Sequence, residues 1–164
     1  MELVVVITIL AILATVGFLR IAGFSSSARD GDRLTTLKNV ELGLSLFKVT
    51  AGTYPMPEAD GPSGVSTGSI GGVTYAYRGT IGDATARIAK LNKVPVDPLS
   101  KTGYTYAVSG DRKHYQVAAV LENALSYGGA SPGIVPAAYA DSASPYRAKV
   151  HGNYPGYMKF SDAS

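Results

Sequence analysis

From Leu3 to Leu19 the chain is almost continuously apolar, LVVVITILAILATVGFL, and no later stretch matches it. Thr8, Thr15 and Gly17 are the interruptions, and the first proline is Pro55. A helix that is apolar all round has no stable place in water; it lies in lipid or among other apolar helices. The run falls slightly short of the about 20 residues that a spanning helix needs. Ile21, Ala22 and Phe24 extend it, and the long stem of Arg20 lets its charge snorkel to a headgroup layer. The segment is therefore expected to be just long enough to cross a bilayer.

The pattern then changes without stopping. Between Asp30 and Val49, Leu34, Leu37, Val40, Leu44 and Phe47 recur at helical spacing, with Leu42, Leu46 and Val49 close by. Arg33, Lys38, Asn39, Glu41 and Lys48 fill the other face, which makes an amphipathic helix. Asp30 or Asp32 would cap a fresh start, and Gly23, Ser25 to Ser27 and Gly31 would interrupt the path. The reading is one helix over residues 2–50, loosened between Gly17 and Gly31 and about 70 Å long.

Residues 51–72 are dense in Gly, Pro, Ser and Thr and predict a long loop. Val73 to Arg78 predicts a short strand, Asp83 to Leu91 a short capped helix presenting Ile88 and Leu91, and Val94 to Leu99 a rigid connector. Tyr104, Tyr106 and Val108 alternate with Thr105 and Ala107, and Tyr115, Val117, Ala119 and Leu121 alternate on the far side of Ser109-Gly110-Asp111-Arg112-Lys113. Alternation on both sides of a Gly-Asp turn predicts an antiparallel hairpin. Residues 123–164 carry Tyr127, Tyr139, Tyr146, Tyr154, Tyr157 and Phe160 among small residues with no period. They predict an extended segment packed on the same chain or on a neighbour. The fold class is α+β: a long N-terminal helix over 1–50, packed against a small antiparallel β-rich head over 51–122, with an aromatic C-terminal segment over 123–164.

Composition removes most chemistry. The hydrophobic fraction is 46%, but much of it sits in the opening run, which leaves a modest core for the head. The absence of cysteine excludes a disulfide framework, thiolate catalysis and a Cys-based zinc site. The net charge is +3, and the basic residues are scattered, with Arg112-Lys113-His114 the densest cluster. That is a solvated turn and not a stripe for nucleic acid, so no specific nucleic-acid partner is expected. His114 and His151 lie far apart, and no Walker loop or local Ser/His/Asp signature occurs. Asp97 and Asp111 are the candidate oxygen ligands for calcium, but they do not belong to a loop of alternating acids. No metal, cofactor or enzymatic activity is expected.

Glu2 stands at the mouth of the apolar run. A buried carboxylate without a partner costs several kcal/mol. It either rests at a headgroup boundary or pairs with a positive group of a neighbouring subunit, an N-terminal amine being the obvious candidate. No basic residue precedes the run, unlike a secretory signal peptide. The small residues at Ser25 to Ala28 would suit a cleavage, but the run is expected to stay in the mature protein.

The stretch Met1-Glu2-Leu3-Val4-Val5-Val6-Ile7-Thr8-Ile9-Leu10-Ala11-Ile12-Leu13-Ala14 resembles the N-terminal signature of type IV pilins and type II secretion pseudopilins. Ala51-Gly52-Thr53-Tyr54-Pro55 resembles the Gly-x-Tyr-Pro that follows the long helix in pseudopilins and related pilins. Pro95 to Val108, a Pro-x-Asp-Pro followed by Tyr-x-Tyr-x-Val, resembles the corresponding stretch of pseudopilins and many bacterial pilins. The resemblance implies cleavage by a prepilin peptidase, N-terminal methylation, passage through the cytoplasmic membrane and an assembly platform, and a surface filament of identical subunits used for adhesion, motility or uptake. It implies that Glu2 registers each incoming subunit and that Leu3, Val6, Ile9, Leu10 and Leu13 form the subunit contacts. The residue that would carry the methyl group stays open. The helix-melting proline near the position of Leu19 in many family members is lacking, and Gly17 and Gly23 would supply the flexibility instead. A pseudopilin or minor pilin of a secretion or DNA-uptake machine has the same plan with short filaments. A single-pass membrane-anchored binding protein would stay monomeric.

Overall fold

One unbroken helix, α1 (Glu2–Ala51), carries the apolar run directly into the amphipathic half. The computed structural model describes residues 2–59, 64–122, 134 and 148–160, and the side chains of these residues except 2, 16 and 18–23. No interruption occurs between Gly17 and Gly31, and neither Asp30 nor Asp32 caps a new start. Asp30 instead turns its carboxylate to the backbone N–H of Glu122, at 2.9 Å. The helix ends where Gly52, at φ 77, donates its N–H to the Lys48 carbonyl at 2.8 Å. That left-handed position suits a residue without Cβ.

The chain is an α+β protein. A five-stranded antiparallel sheet runs in sequence order: β1 (Ser66–Ile70), β2 (Val73–Thr80), β3 (Thr105–Ser109), β4 (Tyr115–Val120) and β5 (Ala148–Gly152). The expected hairpin is β3–β4, in the register Thr105↔Ala118 to Val108↔Tyr115. Two strands were not legible in the composition. β1 lies inside the stretch read as loop; it is Ser-, Thr- and Gly-rich and becomes a strand because Gly71 and Gly72, both at positive φ, fold it back on β2 in a two-residue turn. β5 lies in the stretch read as extended, and pairs with β4 from Gln116↔Gly152 to Val120↔Ala148.

Both faces of the sheet are covered, so β3 is buried at every position. On one face Leu37, Val40 and Leu44 of α1 meet Tyr106, Val108, Tyr115 and Val117, with Tyr54 and Ile81 at the margin. Tyr106 is fully buried and donates its phenol to the Pro55 carbonyl at 2.8 Å, so its polar end is satisfied. On the other face Ala76, Ala107 and Ala118 leave room for Ile134 and Met158, with Tyr154 and Phe160 beside them. The described C-terminal residues therefore lie on their own sheet. The side-chain amide of Gln116 holds them like one rung of a strand ladder, accepting from the Met158 N–H at 2.9 Å and donating to the Gly156 carbonyl at 2.6 Å. Tyr127, Tyr139 and Tyr146 lie outside the described residues.

The short helix between β2 and β3 is α2 (Asp83–Ile88). It ends before Leu91, and its buried residues are Thr85 and Ala86, while Ile88 is exposed. No side chain of its own caps it. The Glu58 carboxylate does so from outside, accepting the Thr85 N–H at 2.7 Å. The segment after α2 approaches α1 at Gly43, where a Cβ would sit 2.5 Å from the Ala89 carbonyl oxygen. Only glycine allows this spacing.

Candidate functional site

The first half of α1 presents its apolar side chains outward. Leu3, Val4, Val5, Val6, Ile7, Ile9, Leu10, Ile12 and Leu13 are between 52 and 74% exposed. β-branched residues are only moderate helix formers, so this stretch is held more by helix continuity than by propensity. Its two hydroxyls are satisfied inside the helix. Thr8 donates to the Val4 carbonyl at 2.7 Å, and Thr15 to the Ala11 carbonyl at 2.6 Å. A surface that buried this stretch would break no hydrogen bond of either threonine. Patches of this size mark contacts with protein or membrane.

The expected contact residues Leu3, Val6, Ile9, Leu10 and Leu13 all lie on this exposed stretch. Glu2 opens the helix, and its side chain is outside the described set. Gly17 and Gly23 both lie within unbroken α1. A Cβ on Gly17 would meet nothing within 4 Å, so packing inside the subunit does not require glycine there. Among the described residues no helix is long and apolar enough to cross a membrane. The spanning expectation for 3–24 runs over residues 18–23, whose side chains are not described.

Where the apolar half meets the head, five charged side chains interlock. Arg33, which the pattern placed on the polar face, is 2% exposed and sits on the apolar stripe, four residues before Leu37. Its guanidinium reaches Asp97 at 2.5 and 3.1 Å, Asp30 at 2.7 Å and Glu122 at 2.7 Å. Arg29 adds a second, two-pronged pair to Glu122 at 2.8 and 2.5 Å. Burial disfavours the charge on Arg33, yet the bonds from Asp97, Asp30 and Glu122 outweigh it and hold the guanidinium more firmly protonated than a free one. Burial likewise pushes the Asp97 carboxyl up, but Arg33 and the Ser100 and Leu99 amides win and hold it at about 2. The bond from Arg29, against burial and helped by Arg33, keeps Glu122 below the usual carboxylate range. The network ties α1, the Pro95-to-Pro98 connector and the segment just after β4 into one register. Sequence reasoning missed it; the available signal was that Arg33 shares the spacing of Leu37, Val40 and Leu44.

No catalytic grouping is assembled from the described residues. His114 stands 4.0 Å from Asp111 on an exposed turn. His151 stands on β5 and reaches α1, with Nδ1 3.0 Å from a Glu41 carboxylate oxygen. Asp97 is engaged by Arg33, and Asp111 accepts from the Ser109 hydroxyl at 2.5 Å and the Lys113 N–H at 3.0 Å. The two candidate calcium ligands thus serve separate turns, and no group of three or more metal-ligating side chains occurs among the described residues. Arg112 donates to the Tyr54 carbonyl at 2.7 Å, so the basic cluster at 112–114 is in part a latch between the β3–β4 turn and the end of α1.

No family model, curated protein or solved structure matches this chain.

Proposed function

We propose that the protein is a structural subunit that polymerises through the first half of α1 into a helical filament, on the plan of a type IV pilin. The observation that carries this reading is the exposed apolar side chains of residues 3–13 on a helix whose second half is already docked on the head. Fully burying a Val, Leu or Ile side chain is worth about 1.5–3 kcal/mol, so identical helices packed side by side gain strongly. The intrahelical bonds of Thr8 and Thr15 make such burial inexpensive. The subunit does mechanical work and carries no chemistry of its own. Glu2, at the mouth of the apolar stretch, sets the register of an incoming subunit against a positive group. Before assembly the molecule resides in the cytoplasmic membrane; afterwards it is part of a cell-surface fibre.

The test is electron microscopy of material sheared from cells, with mass spectrometry of the N-terminus of the fibre subunit. Long fibres built of this chain are expected. Short, scarce filaments would turn the reading toward a pseudopilin. Monomers alone in mild detergent, with no fibres on the cells, would overturn it.

A further inference from the structure

α1 and the segment after α2 enclose a cleft of about 570 Å³. Leu42 and Leu46 line its α1 wall at 71 and 54% exposure, and Val96 lines the opposite wall at 43%. Neither leucine points at the sheet, so the subunit's own core gives no reason for them. Lys90 and Lys93 also line the cleft, with Asp32 on the α1 side. An apolar helix carrying a negative charge would complement this surface, and the chain has such a helix in its own first half, where Glu2 is the only charged residue before Arg20. It cannot fill its own cleft, because α1 is continuous and does not fold back. A first half of α1 that enters this cleft therefore belongs to another copy. A contact between two different surfaces of identical molecules is head-to-tail, and where its rotation does not close a ring it propagates as a fibre.

We propose that the cleft receives the apolar first half of α1 from a sister molecule. Leu3, Val6, Leu10 and Leu13 pack there against Leu42, Leu46 and Val96, and Glu2 sits beside Lys90 and Lys93. The mode is a helix laid in a groove. This rests on the filament reading and names the surface that each incoming helix meets.

The chain has no cysteine, so paired cysteines report the contact cleanly. Fibres of the full chain carrying Leu46→Cys together with Val6→Cys, Leu10→Cys or Leu13→Cys are treated with a flexible bismaleimide and separated under denaturing conditions. At least one pair should give a ladder of covalent multimers, while each single variant gives dimers at most. A melting curve of each variant establishes that the head is folded. Wild-type-like fibres with no ladder from any pair would overturn the proposal, as would cross-linking of position 46 to a different protein. Absence of fibres from the wild-type chain would instead overturn the filament reading, and the cleft contact with it. Changing Lys90→Glu and Lys93→Glu together should lower fibre yield by a factor on the order of ten, and adding Glu2→Lys should restore it. Unchanged yield in the lysine double variant would overturn the charge pairing.

Discussion

The guanidinium of Arg33 and the carboxylate of Asp97, 64 residues apart in the chain, are joined through Nε and Nη2 at 2.5 and 3.1 Å. The pair fixes where along α1 the head is seated. The Arg33 side chain is only 3% exposed and also holds Asp30 and Glu122. Removing one partner from a buried pair leaves uncompensated charge and typically costs about 3–5 kcal/mol. Arg33→Ala should therefore destabilise the head by about that much in a urea titration. Arg33→Lys should recover only part of it, since an ammonium cannot hold the two-pronged geometry. Arg29→Ala should cost much less, because Arg29 lies at the more open edge of the cluster.

The same cluster sets an acid limit. Asp97 is held at about 2 against an ordinary 3.8, and Glu122 is also lowered. A carboxylate with a depressed folded-state pKa stabilises the fold above its unfolded value and loses that contribution as pH falls through the folded one. Melting temperature should therefore hold near neutrality and fall from about pH 4 towards pH 2. Glu58 and Asp111 are lowered as well and act with the same sign. The difference between wild type and Asp97→Asn across this window isolates the Asp97 share. Parallel curves would show that Arg33 does not depend on that charge.

Much of the fold was legible, because it follows from period. Leu37, Val40 and Leu44 announce a helix face, and Tyr104 to Leu121 announce a hairpin with its turn. What the pattern hid has three physical causes. β1 is a strand by virtue of its Gly71-Gly72 turn and its partner, not of its own residues. β5 exists through pairing with β4, and Val150 alone among its residues favours a strand by propensity. Arg33 reads as polar surface by residue type, and its burial depends on acids at positions 97 and 122 that no local window contains. The exposed apolar half of α1 was the clearest feature, since a run this dense requires cover whatever the head does.

Two glycines of α1 should respond in opposite directions to the same change. A Cβ on Gly43 would press on the Ala89 carbonyl oxygen, so Gly43→Ala must move backbone and should cost about 1–3 kcal/mol. A Cβ on Gly31 would meet nothing within 4 Å, and Gly31→Ala should stabilise by up to ~1 kcal/mol through helix propensity. Paired thermal melts decide the matter. Equal shifts would mean that the segment after α2 is not seated on α1 at Gly43.

Stability and assembly should separate along α1. Leu44 is fully buried against the sheet, and Leu44→Ala should cost about 2–5 kcal/mol. Leu10 is 60% exposed and lies more than four turns before Arg33, so Leu10→Asp should leave the melting of the head unchanged. In a bundle of identical helices, however, each copy would bring an unpaired carboxylate into an apolar environment, at several kcal/mol apiece. Fibres should then be absent while folded subunit accumulates. Glu2→Ala should weaken assembly more mildly, with the head again folded, because it removes a register contact and adds no buried charge. Counting fibres by electron microscopy alongside a melt of the same preparation checks all three variants. Abundant fibres from the Leu10→Asp chain would mean that the first half of α1 is not buried by its neighbours.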